Sequence, residues 1–467
     1  MINNSNLLDS EKIKYVHFIG IGGSSMSGLA EILLSQGYKV SGSDIKSSKA
    51  TQKLENLGAG VSIGHSAENV TDPDLVVYTV AVKEDNPEMV RSRQLNVPVI
   101  DRAELLGLIM KRYSFGIAVS GTHGKTTTTS MITTIMLEAG TDPTAHIGGE
   151  LDSIGGNTRI GNSEYFITEA CEYYGSFLKF FPFMAVILNV EVDHVDYFRD
   201  LQHIKDTFRQ FISLVPPDGF IIACADDENV LSVINGKNCN IITYGLKNPE
   251  AMWTAKNISY NDLGCASFDV YKHGEKLGSV ALSVPGPHNV SNALSAVAAC
   301  YTCGCGMESI VTGLMRFGGS HKRFELKGLV DGIKVIDDYA HHPSEVKATL
   351  NAAANTVHKK IWCVFQPHTY TRTKAFIDQF SQAFTNADNI IVTDIYAARE
   401  KDPGDIHASM LAEKISQQGG NAVYMCDFQE IAHYLDKNAQ PGDLILTMGA
   451  GDIVRCGEMF LNIRANK

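Results

Sequence analysis

The hydrophobic pattern repeats one unit along the chain: a short apolar run, a polar or glycine-rich break, then apolar residues spaced by three and four. The first instance is Tyr15 to Ile19, followed by Gly20-Ile21-Gly22-Gly23-Ser24-Ser25-Met26-Ser27-Gly28. Its helix puts Met26, Leu29, Ala30 and Leu33 on one face and stops at Gly37. Further runs at Leu75 to Thr79 and Val97 to Ile100 predict a βα domain of about 110 residues. The second instance spans Phe115 to Gly140: Ile117 to Val119, a glycine loop, and a helix that buries Met131, Ile132, Ile135, Met136 and Ala139 before Gly140 ends it. Strands follow at Tyr165 to Thr168 and Ala185 to Leu188. Residues 215 to 285 read as turns and short alternating strands, broken by Pro216-Pro217-Asp218-Gly219 and Asn235-Gly236. After an Ala-rich helix the pattern breaks again near Gly318, and four more apolar strands are expected: Ile333 to Ile336, Trp362 to Phe365, Ile390 to Thr393 and Leu444 to Thr447. Strands alternating with helices predict an α/β chain.

Composition narrows the possibilities. A length of 467 residues centres the expectation on three domains, and 44% hydrophobic with 20% charged residues is ordinary for a globular protein. The net charge of -12, with no basic run, argues against a nucleic-acid partner and for small molecules. Met1 to Lys14 lacks an apolar signal core, and no stretch offers the roughly 18 apolar residues of a membrane span, so a cytoplasmic protein is expected. The ten cysteines show no framework spacing; Cys300, Cys303 and Cys305 read as reduced core thiols rather than a metal site.

The chemistry centres on Ser120-Gly121-Thr122-His123-Gly124-Lys125-Thr126-Thr127, which lies between a strand and a helix. Gly121 and Gly124 let backbone N–H groups approach phosphate oxygens, Lys125 reaches the outer phosphates, and the Thr126 hydroxyl suits a magnesium ion. With Val119 where the longer pattern has glycine, this is the shortened Gly-x-x-Gly-Lys-Thr form. The next two strands end in Glu169 and His194, candidates for the same polar crevice as Thr126 or simply strand-end polarity. The Gly20 to Gly28 turn, with Asp44 after the following strand, fits a dinucleotide-type cradle or a plain tight turn. His288, Asn289 and Asn292 open the Ala-rich helix either as caps or as contacts for an adenine edge. Each third-block strand ends in polar residues: Asp337 to Pro343, Gln366 to Thr373, Asp394 to Glu400 and Met448 to Asp452. Four such ends on one sheet edge describe a lined pocket.

These segments, in this order and over nearly the whole chain, resemble the Mur ligases, ATP-dependent amide-forming enzymes of peptidoglycan precursor synthesis. The likeness is nearest to the alanine-adding branch. It rests on Gly20 to Gly23 with Met26-Ser27-Gly28, Gly121 to Thr127, Glu169-Ala170, Asn189 with Asp193-His194, His288-Asn289 with Asn292-Ala293-Leu294, Arg323-Phe324, Asp337 to Pro343, Gln366-Pro367-His368, Arg372-Thr373 and Gly449 to Asp452. The resemblance implies three domains: a Rossmann-like UDP-sugar domain at 1–113, a central P-loop ATPase with a mostly parallel sheet at 114–321, and a Rossmann-like closing domain at 322–467 that receives the amino acid. It further implies that L-alanine is joined to the carboxylate of UDP-N-acetylmuramate through an acyl phosphate, with ATP and Mg2+. Gly121, Thr122, His123, Gly124, Lys125, Thr126 and Thr127 would surround the phosphates, and His288, Asn289, Asn292, Asp338 and Tyr339 the rest of the nucleotide. Thr126, Glu169 and His194 would hold metal. Arg323 would meet the transferring phosphoryl group, and His341, His368 and Arg372 the reacting carboxylate and incoming amino acid. Gly22, Gly23, Ser24, Asp44, Thr79 and His123 would contact the UDP-sugar. Where several relatives carry a carbamylated lysine this chain has Phe208, a lack that the alanine-adding branch shares; Arg399 stands where that branch usually has Gly. The competing readings are a murein tripeptide recycling ligase of the same fold, an NAD-linked dehydrogenase, and a nucleotide-gated binding protein.

Overall fold

The computed structural model describes residues 7–8 and 12–466. Three sheets follow one another along the chain. The first has five strands, all parallel, with Tyr15–Ile19 at the centre between Lys39–Asp44 and Leu75–Tyr78, and Gly60–Ile63 and Val99–Asp101 outside them. Strand order reverses between Tyr15–Ile19 and Leu75–Tyr78, and at that switch point the Gly20 turn meets Thr79: a Cβ on Gly20 would lie 3.0 Å from its Cγ2. The following helix, Ser24–Ser35, buries Met26, Leu29, Ala30, Ile32 and Leu33, the face the apolar spacing marks.

The central sheet has ten strands. Phe115–Ser120 lies between Met184–Ile187 and Tyr165–Ala170, parallel to both, so the loop that leaves it also emerges where strands depart to either side. The stretch read as short strands is more regular than its breakers suggest. Phe220–Cys224 and Asn240–Gly245 extend the parallel sheet around a helix, Glu228–Ile234, which Asp227 caps by accepting from the Asn229 and Val230 amides. Trp253–Tyr260 still pairs parallel to Asn240–Gly245, and Cys265–Lys272 and Glu275–Pro285 then continue the sheet antiparallel.

The third sheet has six strands rather than the four expected. Leu444–Met448 is flanked by Ile333–Asp338 and Ile361–Phe365, with Asn389–Val392 beyond. The two additional strands form the edges. Glu325–Val330, antiparallel, exposes Leu326 and Leu329, and Ala422–Tyr424 has only three residues, so neither shows the continuous apolar run of a strand buried on both faces.

The three units share cores. One apolar cluster joins Leu29 and Leu33 to Leu105, Leu106 and Ile109, and then to Phe177, Phe208 and Phe211 of the central unit. Val192 and Val195 of the central unit pack against the core of the third. These contacts bring the carboxyl ends of all three sheets toward common cavities.

Candidate functional site

The phosphate loop leaves its strand at Ser120 and enters the helix Lys125–Glu138. Gly124 has φ +85°, and a Cβ there would lie 2.7 Å from Asn292 Oδ1; Gly121 has φ +142°, and its Cβ would lie 2.9 Å from Leu188 Cβ. Both positions require glycine because the loop is wound against its neighbours in left-handed backbone. Lys125 Nζ donates to the carbonyls of Gly121 at 2.5 Å and Thr122 at 3.0 Å, and lies 3.2 Å from Glu172 Oε2. Burial opposes its charge, but Glu172 outweighs burial and raises the Lys125 pKa, so the group stays cationic.

A cavity of about 780 Å³ opens from this loop. His123, Gly124 and Thr127 line it on one side, His288, Asn289 and Asn292 on another, and Arg323, Asp338 and Glu345 of the third unit close it. Of the residues the sequence marks for a nucleotide, His123, Gly124, Thr127, His288, Asn289, Asn292 and Asp338 thus share one cavity, in a volume typical of small-molecule sites, while Gly121, Thr122, Lys125, Thr126 and Tyr339 do not line it. Inside the group their tasks differ. Asn289 donates to the Pro285 carbonyl and accepts from Asn292 Nδ2, while Asp338 accepts from the amides of Phe324 and Ala340 and from the Thr349 hydroxyl. Asp338 therefore ties the third unit's entry loop together. Tyr339 lies under Arg323, whose guanidinium carbon is 5.1 Å from the ring centre.

His123 bridges two units at the loop itself. Its Nδ1 is 3.2 Å from Glu345 Oε1, and its buried Nε2 has no hydrogen bond, with Glu191 Oε2 at 3.6 Å. Burial lowers its pKa, but Glu191 and Glu345 outweigh that and lift it to about 9. Because the folded value lies above the ordinary one, the stabilisation is full below about pH 6.5 and is lost as pH rises through about 9. The stability advantage of the wild type over His123→Gln, measured by denaturant titration, is expected to shrink from about pH 6 to about pH 9.5. An advantage that holds constant across that window counts against the charged bridge.

Thr126 and Glu169 border the same backbone step. A Cβ on Gly148 would be 2.7 Å from Glu169 Oε2, one on Gly149 would be 3.1 Å from Thr126 Cγ2, and Glu169 Oε1 accepts from the Gly148 amide at 2.6 Å. A hydroxyl and a carboxylate beside a triphosphate loop fit a hard divalent cation. His194, in left-handed backbone at φ +49°, stacks on Tyr173 at 4.3 Å and points Nε2 toward Glu172 Oε1, 3.9 Å away. Phe208 is buried against Phe177, 5.2 Å between ring centres in a T-shape, and Arg399 is exposed.

A second cluster of buried polar groups lies where the third unit meets the central one. Arg372 donates to Asp193 Oδ1 from Nε at 3.1 Å and Nη2 at 2.9 Å, and from Nη1 to His368 Nδ1 at 3.2 Å. His341 and His368 rings meet at 5.6 Å. Both have lowered pKa values, His368 to about 3, first because of burial; His341 and Arg372 add to the shift at His368. Arg372 is therefore committed to a buried pair across the unit boundary, a partner the sequence alone did not assign to it.

At the first unit's edge, Gly22 N donates to Asp44 Oδ2 at 2.9 Å and Ile45 N to Oδ1 at 2.8 Å. The acid is spent on its own turn, which removes the feature that suggested an NAD-linked dehydrogenase. Ser24 lines a second cavity of about 240 Å³ between the first and central units, with Ser25, Arg102, His146, Asn157 and Glu169. Ser25 Oγ lies 2.7 Å from His146 Nε2 and accepts from Arg102 Nη1 at 3.1 Å. Sequence reading missed Arg102, His146 and Asn157, each an isolated polar residue with no motif around it.

Comparison with known proteins agrees with this arrangement. Three family profiles match in order: Mur ligase family, catalytic domain, over residues 15–114; Mur ligase middle domain over 119–300; and Mur ligase, glutamate ligase domain over 322–451. A UDP-N-acetylmuramate--L-alanine ligase of Acetivibrio thermocellus is 61% identical, covering 98% of this chain and 97% of its own. One of Caldanaerobacter subterraneus is 55% identical, over 97% and 98%. Among solved structures, the UDP-N-acetylmuramate-alanine ligase of Thermotoga maritima superposes with a TM-score of 0.81 at 31% identity, over 97% of this chain and all of that one. A murein peptide ligase of Psychrobacter arcticus gives 0.70 at 26% identity, over 97% and 99%. With a glycine loop between strand and helix, a cavity lined by two units and this likeness along almost its full length, the chain belongs to the Mur ligase family.

Proposed function

We propose that this chain joins L-alanine to the muramoyl carboxylate of UDP-N-acetylmuramate with hydrolysis of ATP to ADP and phosphate. The observation that carries it is a cavity shared by the phosphate loop and the third unit, with a smaller one bordered by Glu169 between the first and central units, in a chain 61% identical to a relative named for that reaction. ATP fits the larger cavity, with its phosphates on the helix N-terminus after Gly124 and its base toward His288 and Asn292. The sugar nucleotide follows the Gly22 to Ser24 turn past Asp44 and Thr79, its phosphates toward Arg102 and its carboxylate toward Glu169.

The chemistry proceeds in two displacements. A carboxylate oxygen attacks the γ-phosphorus, and the bridging P–O bond breaks to give ADP and an acyl phosphate. The amine of L-alanine then attacks the acyl carbon, and the C–O bond to phosphate breaks. Crowded anions make the first step difficult, so Lys125 and Arg323 lie where negative charge gathers. Thr126, Glu169 and His194 would hold Mg2+, which when bound neutralises phosphate charge.

The second step needs a proton acceptor. His341 Nδ1 donates to the Tyr339 carbonyl at 2.8 Å, leaving its Nε2 lone pair free, whereas His368 Nδ1 is taken up by Arg372. His341 is thus the better base, and its lowered pKa keeps it neutral at physiological pH. His341→Gln is expected to reduce kcat about 10²-fold with little change in the KM for ATP. Steady-state kinetics showing His368→Gln as the more damaged variant would reverse the assignment.

No helix among the described residues is long and apolar enough to cross a membrane. A requirement for ATP and a sugar nucleotide supports a reaction in the cytoplasm. The deciding assay couples ADP release to ATP, UDP-N-acetylmuramate and either L-alanine or the murein tripeptide. Turnover with L-alanine is expected to dominate; faster turnover with the tripeptide overturns the reading in favour of recycling, and ADP release without either acceptor argues against ligation.

A further inference from the structure

Ser24 and Ser25 open the helix Ser24–Ser35 of the first unit, and both hydroxyls reach across to the central unit. There the strands Thr144–Leu151 and Gly156–Arg159 form a hairpin that sets His146 opposite Thr158. Gly28 permits this approach, since a Cβ there would overlap Thr158 Oγ1 and lie 2.9 Å from His146 Cε1. The hydrogen bonds across the boundary all run one way. Asn157 Nδ2 donates to the Ser24 carbonyl at 3.0 Å and hydroxyl at 2.9 Å, so its Oδ1 accepts from the Thr158 hydroxyl at 3.3 Å. Thr158 Oγ1 must then accept from His146 Nδ1 at 2.9 Å, which leaves Nε2 a lone pair for the Ser25 hydroxyl at 2.7 Å. With its proton given to His146, Ser25 Oγ faces Arg102 Nη1 as an acceptor at 3.1 Å. Burial, with Arg102 adding to it, lowers the His146 pKa to about 3 and keeps the imidazole neutral.

We infer that His146 is a positioning residue for the sugar nucleotide: by holding the Ser25 hydroxyl it aims the Arg102 guanidinium into the cavity between the first and central units. The inference rests on the ligase reading, which sends the sugar nucleotide's phosphates toward Arg102, and gives that cation its orienting partner. Arg102, half-buried, lines the cavity of about 240 Å³ together with Ser24, Ser25, His146 and Asn157. Among the described residues it forms no salt bridge, so Ser25 supplies its hydrogen bond and the cavity receives its charge. A cation on a flexible stem adds affinity for an anion only as far as its direction is fixed beforehand. The same two units are held together elsewhere: Leu29 and Leu33 share a core with Phe177 and Phe208, and Asn157 bonds Ser24. His146 is therefore not needed to dock the units and is placed to act on Arg102. Since Arg102 and Ser25 belong to the first unit and His146 to the central one, the anion site is complete only when the two are docked.

The test is binding of UDP-N-acetylmuramate to the full chain by titration calorimetry, together with steady-state kinetics. His146→Leu keeps the bulk but offers no lone pair; it is expected to weaken binding and raise the KM for the sugar nucleotide about 10-fold, while the KM for ATP changes less than about 2-fold. His146→Gln, whose Oε1 can accept from Ser25, should recover most of the affinity. Because His146 acts through Arg102, the double variant His146→Leu with Arg102→Met should bind no more weakly than Arg102→Met alone. Losses that simply add, or a fall in affinity for both nucleotides alike with a lower unfolding temperature, make His146 an interface residue and overturn the inference. Sugar-nucleotide binding unchanged in His146→Leu overturns it too and leaves the ligase reading standing. Failure of the wild type to bind UDP-N-acetylmuramate overturns both. Should His146→Leu not fold, Ser25→Ala removes a single oxygen from the same link: a selective rise in the sugar-nucleotide KM supports the assignment, and an unchanged KM refutes it.

Discussion

Lys125→Ala is expected to lower ATP-dependent ligation by about 10²- to 10³-fold, because one preorganised donor to developing charge is worth about 2.7–4 kcal/mol in a water-excluded site. This lysine serves two states. Without nucleotide its ammonium bonds the Gly121 and Thr122 carbonyls and lies against Glu172. In the mechanism proposed above it neutralises phosphate oxygens while a carboxylate approaches the same phosphorus. Alanine removes both tasks and leaves Glu172 buried without its cation, so a loss of stability accompanies the loss of rate. Lys125→Ala combined with Glu172→Gln separates the two: thermal unfolding should recover in the double variant while ADP release in a single turnover stays low. Near wild-type release of ADP by a folded Lys125→Ala protein would remove the phosphate loop from the mechanism.

Much of the fold could be read from the chain because the inner parallel strands are buried on both faces and announce themselves as apolar runs. Ile117 to Val119, Ala185 to Ile187 and Leu444 to Thr447 all lie in strands with no exposed residue. Edges were harder. Glu325–Val330 and Ala422–Tyr424 are short or half-exposed, and their pairing comes from neighbours distant in sequence. Residues 215 to 285 misled in the opposite direction, since turn residues marked the breaks but not the helix Glu228–Ile234 between two parallel strands.

The candidate site divides the same way. Gly121, Gly124 and Lys125 were legible since backbone geometry and phosphate chemistry require those residue types at that spacing. The structure also gathers His288, Asn289, Asn292 and Arg323 around one cavity. What local sequence does not encode is pairing across units. Glu172 lies in the same motif as Glu169, and only the coordinates show that it is Glu172 whose carboxylate meets both Lys125 and His194. Arg102 acquires meaning from Ser25 and His146, residues on three separate elements. Asp193 and Arg372 are separated by 179 positions, and nothing local to either announces the bond.

That bond supports the second large effect. Arg372→Met is expected to leave Asp193 buried and uncompensated, destabilising the joined arrangement of the central and third units by about 3–5 kcal/mol. Both side chains are 8% exposed, and burial alone would raise the carboxyl pKa, but Arg372 reverses that and holds Asp193 well below the ordinary carboxylate range. With the folded value depressed, the contribution is present above about pH 3.9 and is lost as pH falls further, so the pair is fully formed at neutrality. The Ser344–Glu191 hydrogen bond at 2.7 Å and that of His342 to the Val192 carbonyl at 3.1 Å cross the same boundary and keep the units in register. They are too exposed or too weak to replace a buried ion pair. Small-angle scattering of Arg372→Met should therefore show a larger radius of gyration than the wild type, and in the proposed mechanism ligation should fall because His341 and His368 are carried away from the central unit. The double variant Arg372→Met with Asp193→Asn removes both charges and should regain compactness without regaining full activity, since Arg372 also orients His368 through Nδ1. If the single variant were as compact and as active as the wild type, closure would have to be held by the nucleotide and sugar substrates instead of by this pair.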